Sequence, residues 1–200
     1  EKRVATMEVT PQHLLLSGPE CYERLGTRAQ MNPPIREKRH TDALWRAVRP
    51  GAVDVLGSDH APHTNEEKDR VYPASPSGLP GVQTTVPLML DAVHRGLMPL
   101  MRLVDLLAHG PQRIYGLSRK GRIATGWDAD FTLVDLAAER TIEASWIASR
   151  CGWTPFDGTR VTGWPVRTIV RGQDAMIDGA LQKIAAEPVR FYGTRDEEAA

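Results

Sequence analysis

Apolar and polar positions follow two textures along the chain, and the change falls near residue 120. Before it, "RVATMEVT" (3–10) is a short β-branched run closed by Pro11, and "AVDVLGSD" (52–59) is a second run of the kind that forms a buried strand. Between them Thr41 can cap a helix that carries Ala43, Leu44, Ala47 and Val48 on one face, with Pro50 and Gly51 as its stop. Strand, amphipathic helix and strand make a βαβ unit, so parallel pairing in an α/β sheet or barrel is expected. Residues 64–81, "TNEEKDRVYPASPSGLPG", read as a long polar loop, a feature that in a compact domain usually has a function or lacks order. "VQTTVPLMLDAVHRGL" and "PLMRLVDLLAHGPQRIYGL" return to a helical period. Leu100, Leu103, Val104, Leu106 and Leu107 mark the apolar face of the second, which Gly110 and Pro111 are expected to end.

Beyond residue 120 the period shortens. "GRIATGWDADFTLVDL" holds a turn followed by a strand. "RTIEASWIAS" and "PVRTIVRGQDAMIDGAL" continue as short alternating strands, with "RGQ" as a hairpin turn. The pattern divides the chain into an α/β region, 1–119, and a β-rich module, 120–200, whose tail "GTRDEEAA" is expected to fray. There is no repeat of fixed period.

Composition excludes more than it selects. With 25 basic and 25 acidic side chains the formal charge is zero, which gives no electrostatic reason to bind nucleic acid or an anionic membrane. No apolar run approaches the roughly 20 residues that span a bilayer. The opening "EKRVATMEVT" has neither a signal core nor a starting Met and reads as a cut inside a larger protein. Cys21 and Cys151 lack CxxC spacing, so two reduced thiols in a cytoplasmic protein are expected.

The chemistry concentrates in "VLGSDHAPHTNEEK" (55–68). Asp59 falls at the C-terminal end of a buried parallel strand, the edge where α/β folds collect catalytic groups. A carboxylate there can ligate a divalent metal through one oxygen and take a proton through the other. His63, held near Pro62, can donate to an anionic substrate, and His60 can support the site or pack. The plainer alternatives are a helix N-cap for Asp59 and surface loop positions for the histidines. Asn32 precedes two prolines in "TRAQMNPPIR", a stiff segment that suits an amide presented in a fixed direction and equally a simple turn. His13, beside Leu14 to Leu16 in "EVTPQHLLL", reads more readily as structural than as a rim group.

"EVTPQHLLL", "MNPPIR", "GSDHAPHTNEEK", "SGLPGVQTTVPLML" and "WTPFDG" occur in the order found in dihydroorotases, members of the amidohydrolase superfamily, and the chain resembles them over residues 8 to 180. Allantoinases and dihydropyrimidinases carry a "CPHYL"-like segment where this chain has "TPQHL", so the resemblance favours dihydroorotase. It implies the C-terminal part of a (β/α)8 TIM-type barrel, its last two strands and helices, followed by part of a small β-sandwich. It implies zinc, one or two ions, with Asp59 as metal ligand and general acid/base. Asn32 and His63 match substrate-binding residues, and Pro80 and Gly81 match a loop whose backbone meets the substrate ring. His60 is left as support, and His13 matches no ligand of the family.

The departures from the family are as informative. The HxH pair of the first strand, the bridging residue of the fourth, the two later histidines and the substrate arginine have no counterpart here; His40, His94 and His109 fall in helices or at their ends. The expectation is therefore a dihydroorotase, interconverting L-dihydroorotate and N-carbamoyl-L-aspartate, of which this chain alone is inactive. The expected partners are that small-molecule substrate, and a second copy or aspartate transcarbamoylase, with neither nucleic acid nor membrane. The alternatives are another cyclic amidohydrolase (dihydropyrimidinase, hydantoinase or allantoinase) and a non-catalytic homologue serving aspartate transcarbamoylase.

Overall fold

A computed structural model describes residues 5–192. Its first element is a short strand, β1 (Glu8–Val9), which gives way at once to a helix, α1 (Pro11–Leu15). Thr10 is extended and its hydroxyl accepts the N–H of His13, while Pro11 occupies the first helical turn, where a missing N–H costs nothing. The helix α2 (Glu20–Leu25), a 3-10 turn (Gly26–Ala29) and α3 (Lys38–Val48) follow. The chain then returns to β2 (Val55–Leu56), which pairs parallel to β1 with Glu8 opposite Val55. The expected parallel pair is present, but two helices and a 3-10 turn precede the single helix anticipated between the strands. Thr41 is not a cap: α3 starts at Lys38, and the Thr41 hydroxyl donates instead to Leu16 O at 3.3 Å.

After β2 come α4 (Asn65–Lys68), α5 (Thr85–His94) and α6 (Leu100–Val104). The 64–81 segment is therefore not structureless. Thr64 and Glu67 form a reciprocal capping box that starts α4. Nor do Gly110 and Pro111 end the second helix. A π turn at Asp105–His109 carries α6 into α7 (Gly110–Tyr115), and the run stops at Gly116 in a left-handed conformation, φ 64°. Pro111 cannot donate to the preceding turn and its ring crowds the carbonyl four residues back, so the wider π turn takes up the misfit. Gly110 serves contact rather than termination: a Cβ there would sit 2.1 Å from Asp54 O, at the entrance to β2.

The last third is a four-stranded antiparallel sheet in sequence order: β3 (Phe131–Thr141), β4 (Arg160–Val170), β5 (Gln173–Ile177) and β6 (Ala180–Leu181). The hairpin at Arg171 and Gly172 is present. The strand expected over 140–149 is not. β3 ends at Thr141, and the chain forms a 3-10 turn at Ala144–Trp146. Its groups are used elsewhere: Asp157 takes Ala144 N–H at 2.7 Å, and Trp146 packs on Trp164 with ring centroids 4.7 Å apart.

Two apolar clusters hold these parts together. One joins Val9 and Leu56 of the parallel strands, and Val53 just before β2, to Met89, Leu103 and Leu106 of the helices behind them. The other joins Met31, Ile35, Leu79 and Leu88 to Ile142, Trp153, Phe156 and Trp164, so the β-rich part packs directly on the loops near the end of β2. Among the described residues no helix is long and apolar enough to cross a membrane. The tail expected to fray, 193–200, lies outside the described residues.

Candidate active site

The C-terminal end of β2 leads into Gly57, Ser58 and Asp59, and two bonds fix where it goes. Gly57 N–H donates to Val9 O at 3.0 Å, and the fully buried Gln12 donates from Nε2 to Ser58 O at 2.7 Å. Asp59 then takes a left-handed backbone, φ 43°, uncommon for a residue with a side chain. Its side chain is exposed and, among the described residues, its carboxylate makes no hydrogen bond or ion pair. It is no N-cap, since the next helix, α4, is capped by Thr64.

His60 is tied to the neighbouring loop. It bridges to Leu79, and its Nδ1 accepts Gly81 N–H at 3.1 Å and Val82 N–H at 3.4 Å. A nitrogen that accepts from backbone carries no proton, so the ring hydrogen of the neutral imidazole is on Nε2. The carbonyl of Gly81 receives the Thr84 and Thr85 hydroxyls at 3.1 and 2.9 Å. A Cβ on Gly81 would lie 2.4 Å from Ser58 O, so only glycine lets this loop lie against the end of β2. Both backbone groups of Gly81 are thus engaged within the chain. The Pro80 carbonyl has no such bond among the described residues.

His63 is tied into its own loop. Its Nε2 donates to Ser77 O at 3.1 Å, its Nδ1 lies 3.6 Å from Glu67 Oε2, and its carbonyl accepts Trp153 Nε1–H at 2.8 Å. With Nε2 committed to a carbonyl, Nδ1 is the atom left for a ligand. Asn32 is exposed beside the buried Met31, and its amide makes no hydrogen bond among the described residues. His13 is a structural histidine: Nδ1 accepts the Thr10 hydroxyl at 2.8 Å and Nε2 donates to Pro33 O at 2.9 Å, which steadies the residue next to Asn32. A cavity of about 280 Å³ is lined by His60, Pro80, Gly81 and Val82 on one side and Ile147, Ala148 and Ser149 on the other. Gln83 spans it, donating to Trp146 O at 2.6 Å and accepting Ala148 N–H at 2.8 Å.

Zinc takes carboxylate oxygen, imidazole nitrogen and thiolate sulfur, usually four at a time. The free carboxylate of Asp59 fits one such position. Among the described residues no group of three or more His, Cys, Asp or Glu comes together to hold a metal, so no complete metal site surrounds Asp59 within them.

Three residues that position this rim, Gln12, Trp153 and Lys68, fall within the motifs quoted above but receive no role from the sequence. Yet Lys68 is fully buried, and burial pulls its pKa down to about 8.

Known proteins place this rim in a lineage. The chain is 46% identical to a dihydroorotase of Halobacterium salinarum over 84% of its length and 39% of the relative's. It is 42% identical to a dihydroorotase of Pyrococcus furiosus over 86% of its length and 39% of that protein. It thus spans about two fifths of the length of the curated relatives it matches. Its shape follows the L-hydantoinase (dihydropyrimidinase) of Arthrobacter aurescens with a TM-score of 0.85, at 33% identity, over 89% of this chain and 40% of that one. The dihydropyrimidinase of Brevibacillus agri gives a TM-score of 0.83 at 28% identity, over 88% and 40%. The parallel strands, the helices behind them and most of the sheet that follows lie inside the amidohydrolase family pattern, which matches residues 6–174, and the chain belongs to that family.

Proposed function

We propose that the whole protein is a metal-dependent dihydroorotase, a cytoplasmic enzyme that reversibly hydrolyses the cyclic amide of L-dihydroorotate to N-carbamoyl-L-aspartate. The observation that carries this reading is the 46% identity to a dihydroorotase across 84% of the chain, a stretch that includes the unpartnered Asp59. In this reading β1 and β2 are the last two strands of a (β/α)8 barrel. Residues 1–119 belong to that barrel, and 120–200 to a β-sandwich module.

Asp59 would hold zinc through one carboxylate oxygen, with the remaining ligands supplied by parts of the protein outside this chain. Zinc held there would supply Lewis acidity toward the ring carbonyl and the attacking water. The other Asp59 oxygen takes the proton that water loses as it adds to the ring carbonyl. Asp59 then delivers that proton to the ring nitrogen as the carbon–nitrogen bond breaks, leaving a carboxylate and a ureido group. The reverse reaction retraces these transfers. Asn32 and Nδ1 of His63 offer contacts to the polar edge of the substrate, and the Pro80 carbonyl offers an acceptor to a ring N–H. His60 acts at one remove, since its Nδ1 holds the Pro80–Gly81 loop through Gly81 N–H.

The second reading rests on the likeness to L-hydantoinase, TM-score 0.85. One experiment separates the two: the full-length enzyme assayed with dihydroorotate, a hydantoin, dihydrouracil and allantoin. Dihydroorotate is expected to be preferred by roughly 100-fold or more in kcat/KM, because a site built to pair a substrate carboxylate leaves polar groups unmatched by a ring without one. Preference for a neutral ring overturns the proposal.

A further inference from the structure

Lys68 closes α4 in the middle of the 64–81 segment, and none of its surface is exposed. An ammonium taken out of water needs compensation. Here it comes from backbone alone: Nζ donates to Gln30 O at 2.9 Å and to Pro76 O at 2.8 Å. Among the described residues no carboxylate lies within ion-pairing distance of Nζ. The acids of its own helix are occupied or face solvent. Glu66 is exposed, Glu67 accepts Thr64 N–H and lies near His63, and Asp69 is paired with Arg28 at 2.8 Å. Arg28 is the titratable group of the Thr27–Gln30 segment, and residues 75–78 contain none. Lys68 is itself gripped, with its carbonyl accepting the Thr27 hydroxyl at 2.6 Å and the Ser75 hydroxyl at 3.1 Å.

Both carbonyls belong to loops that lead to the rim. Gln30 lies two residues before Asn32, and its carbonyl also accepts Gly78 N–H at 3.0 Å. Pro76 adjoins Ser77, whose carbonyl takes the Nε2–H of His63, and the same strand of loop runs on to Pro80 and Gly81. We propose that Lys68 is a positioning residue for substrate: its buried ammonium clamps the Gln30 and Pro76 carbonyls and so fixes the Asn32 arm against the His63 and Pro80–Gly81 arm. This rests on the reading of those residues as substrate contacts. Lys68 touches no substrate and acts by holding two loops in register.

The full-length enzyme tests this with three variants: Lys68→Met, which keeps the bulk and removes the donor; Thr27→Val, which weakens the same junction from its edge; and His63→Ala, which removes a contact directly. The substrate is whichever cyclic amide the wild type turns over best, so the outcome does not depend on its being dihydroorotate. Lys68→Met is expected to raise KM roughly tenfold with kcat within about threefold, the signature of lost binding shared by ground and transition states. Thr27→Val is expected to raise KM by roughly threefold. KM of the wild type should also climb from pH 7 to 9 as the buried ammonium loses its proton, and that climb should be absent in Lys68→Met. A lower melting temperature with unchanged KM overturns the inference. If Lys68→Met does not fold, Thr27→Val decides in the same way. KM raised in His63→Ala but not in the other two defeats the clamp alone, whereas KM unchanged in all three defeats the site reading and the clamp with it.

Discussion

Two regions of this molecule bring carboxylates together with left-handed backbone, and they treat those carboxylates in opposite ways. Around the hairpin between β4 and β5, Asp128 meets Lys120 at 2.9 Å, Arg171 at 3.3 Å and Arg119 at 3.6 Å. Asp130 takes Lys120 Nζ and the Arg171 N–H. Arg119 and Arg171 have φ of 55° and 47°, close to the 43° of Asp59. Unusual backbone therefore does not by itself mark a reactive site. The difference is in the partners. The carboxylates at the hairpin are matched by cations, while Asp59 is exposed and unmatched among the described residues. Matched charges hold a turn; Asp59 differs from the equally exposed and left-handed Asp178, φ 47°, in lying just after a buried parallel strand.

The largest expected effect comes from removing the unmatched charge. Asp59→Asn in the full-length enzyme should lower kcat/KM by about 10³-fold or more, the scale of a lost general acid/base, with the metal affinity reduced as well. With the metal removed from both proteins, the melting temperature should hardly change, because the Asp59 carboxylate makes no bond within the described residues that a folded state would lose. Turnover within tenfold of wild type would remove Asp59 from the mechanism. A large drop in melting temperature would show instead that the carboxylate has a structural partner.

The sequence makes this contrast only half legible. The run "VLGSD" announces a buried strand and places Asp59 at its end, because period and turn residues are local signals, and β1 pairs with β2 as expected. The "RGQ" turn is local too, and it is present. Lys68 defeats such reading. In "NEEK" it looks like a solvated charge, and its burial depends on a carbonyl 38 residues away. Gln12 is hidden for the same reason, since its partner Ser58 is 46 residues distant. Thr10 and Pro11 did carry a helix-start signal, but the Leu14 to Leu16 run beside a strand masks it. The 140–149 segment alternates like a strand, yet the cavity wall and Gln83 use its polar groups. No local pattern supplies a partner that lies in another part of the fold.

Removing a matched charge sharpens the comparison from the other side. Asp128→Ala strips a side chain only 12% exposed from beside three cations, and should cost about 2 kcal/mol with turnover unchanged. The hydrogen bond from Lys120, aided by the neighbouring arginines, holds the Asp128 carboxyl below the usual carboxylate range. A folded pKa below the unfolded value of about 3.9 stabilises the protein fully above that value and is lost as pH falls through the folded pKa. Denaturant titrations of wild type and variant should therefore differ by the same amount at pH 7 and 5.5, begin to converge below about pH 4, and meet only once the pH is below the folded pKa. A gap that persists in acid would assign the cost to lost packing rather than charge.

The smallest effect is expected where a pair is well made but open to water. Arg167 donates to Asp174 from Nε at 2.6 Å and from a terminal nitrogen at 2.7 Å, a two-pronged contact shorter than any at Asp128. Those side chains are 45% and 31% exposed, so solvent and salt screen the attraction, and the folded state gains little over separately hydrated ions. Arg167→Ala should shift the melting temperature by less than about 1 °C and leave turnover unchanged. The test is a thermal melt beside Asp128→Ala at the same salt concentration. Equal losses would mean that contact geometry, not shielding from water, sets the worth of a pair, and the contrast between matched and unmatched carboxylates would then say nothing about Asp59.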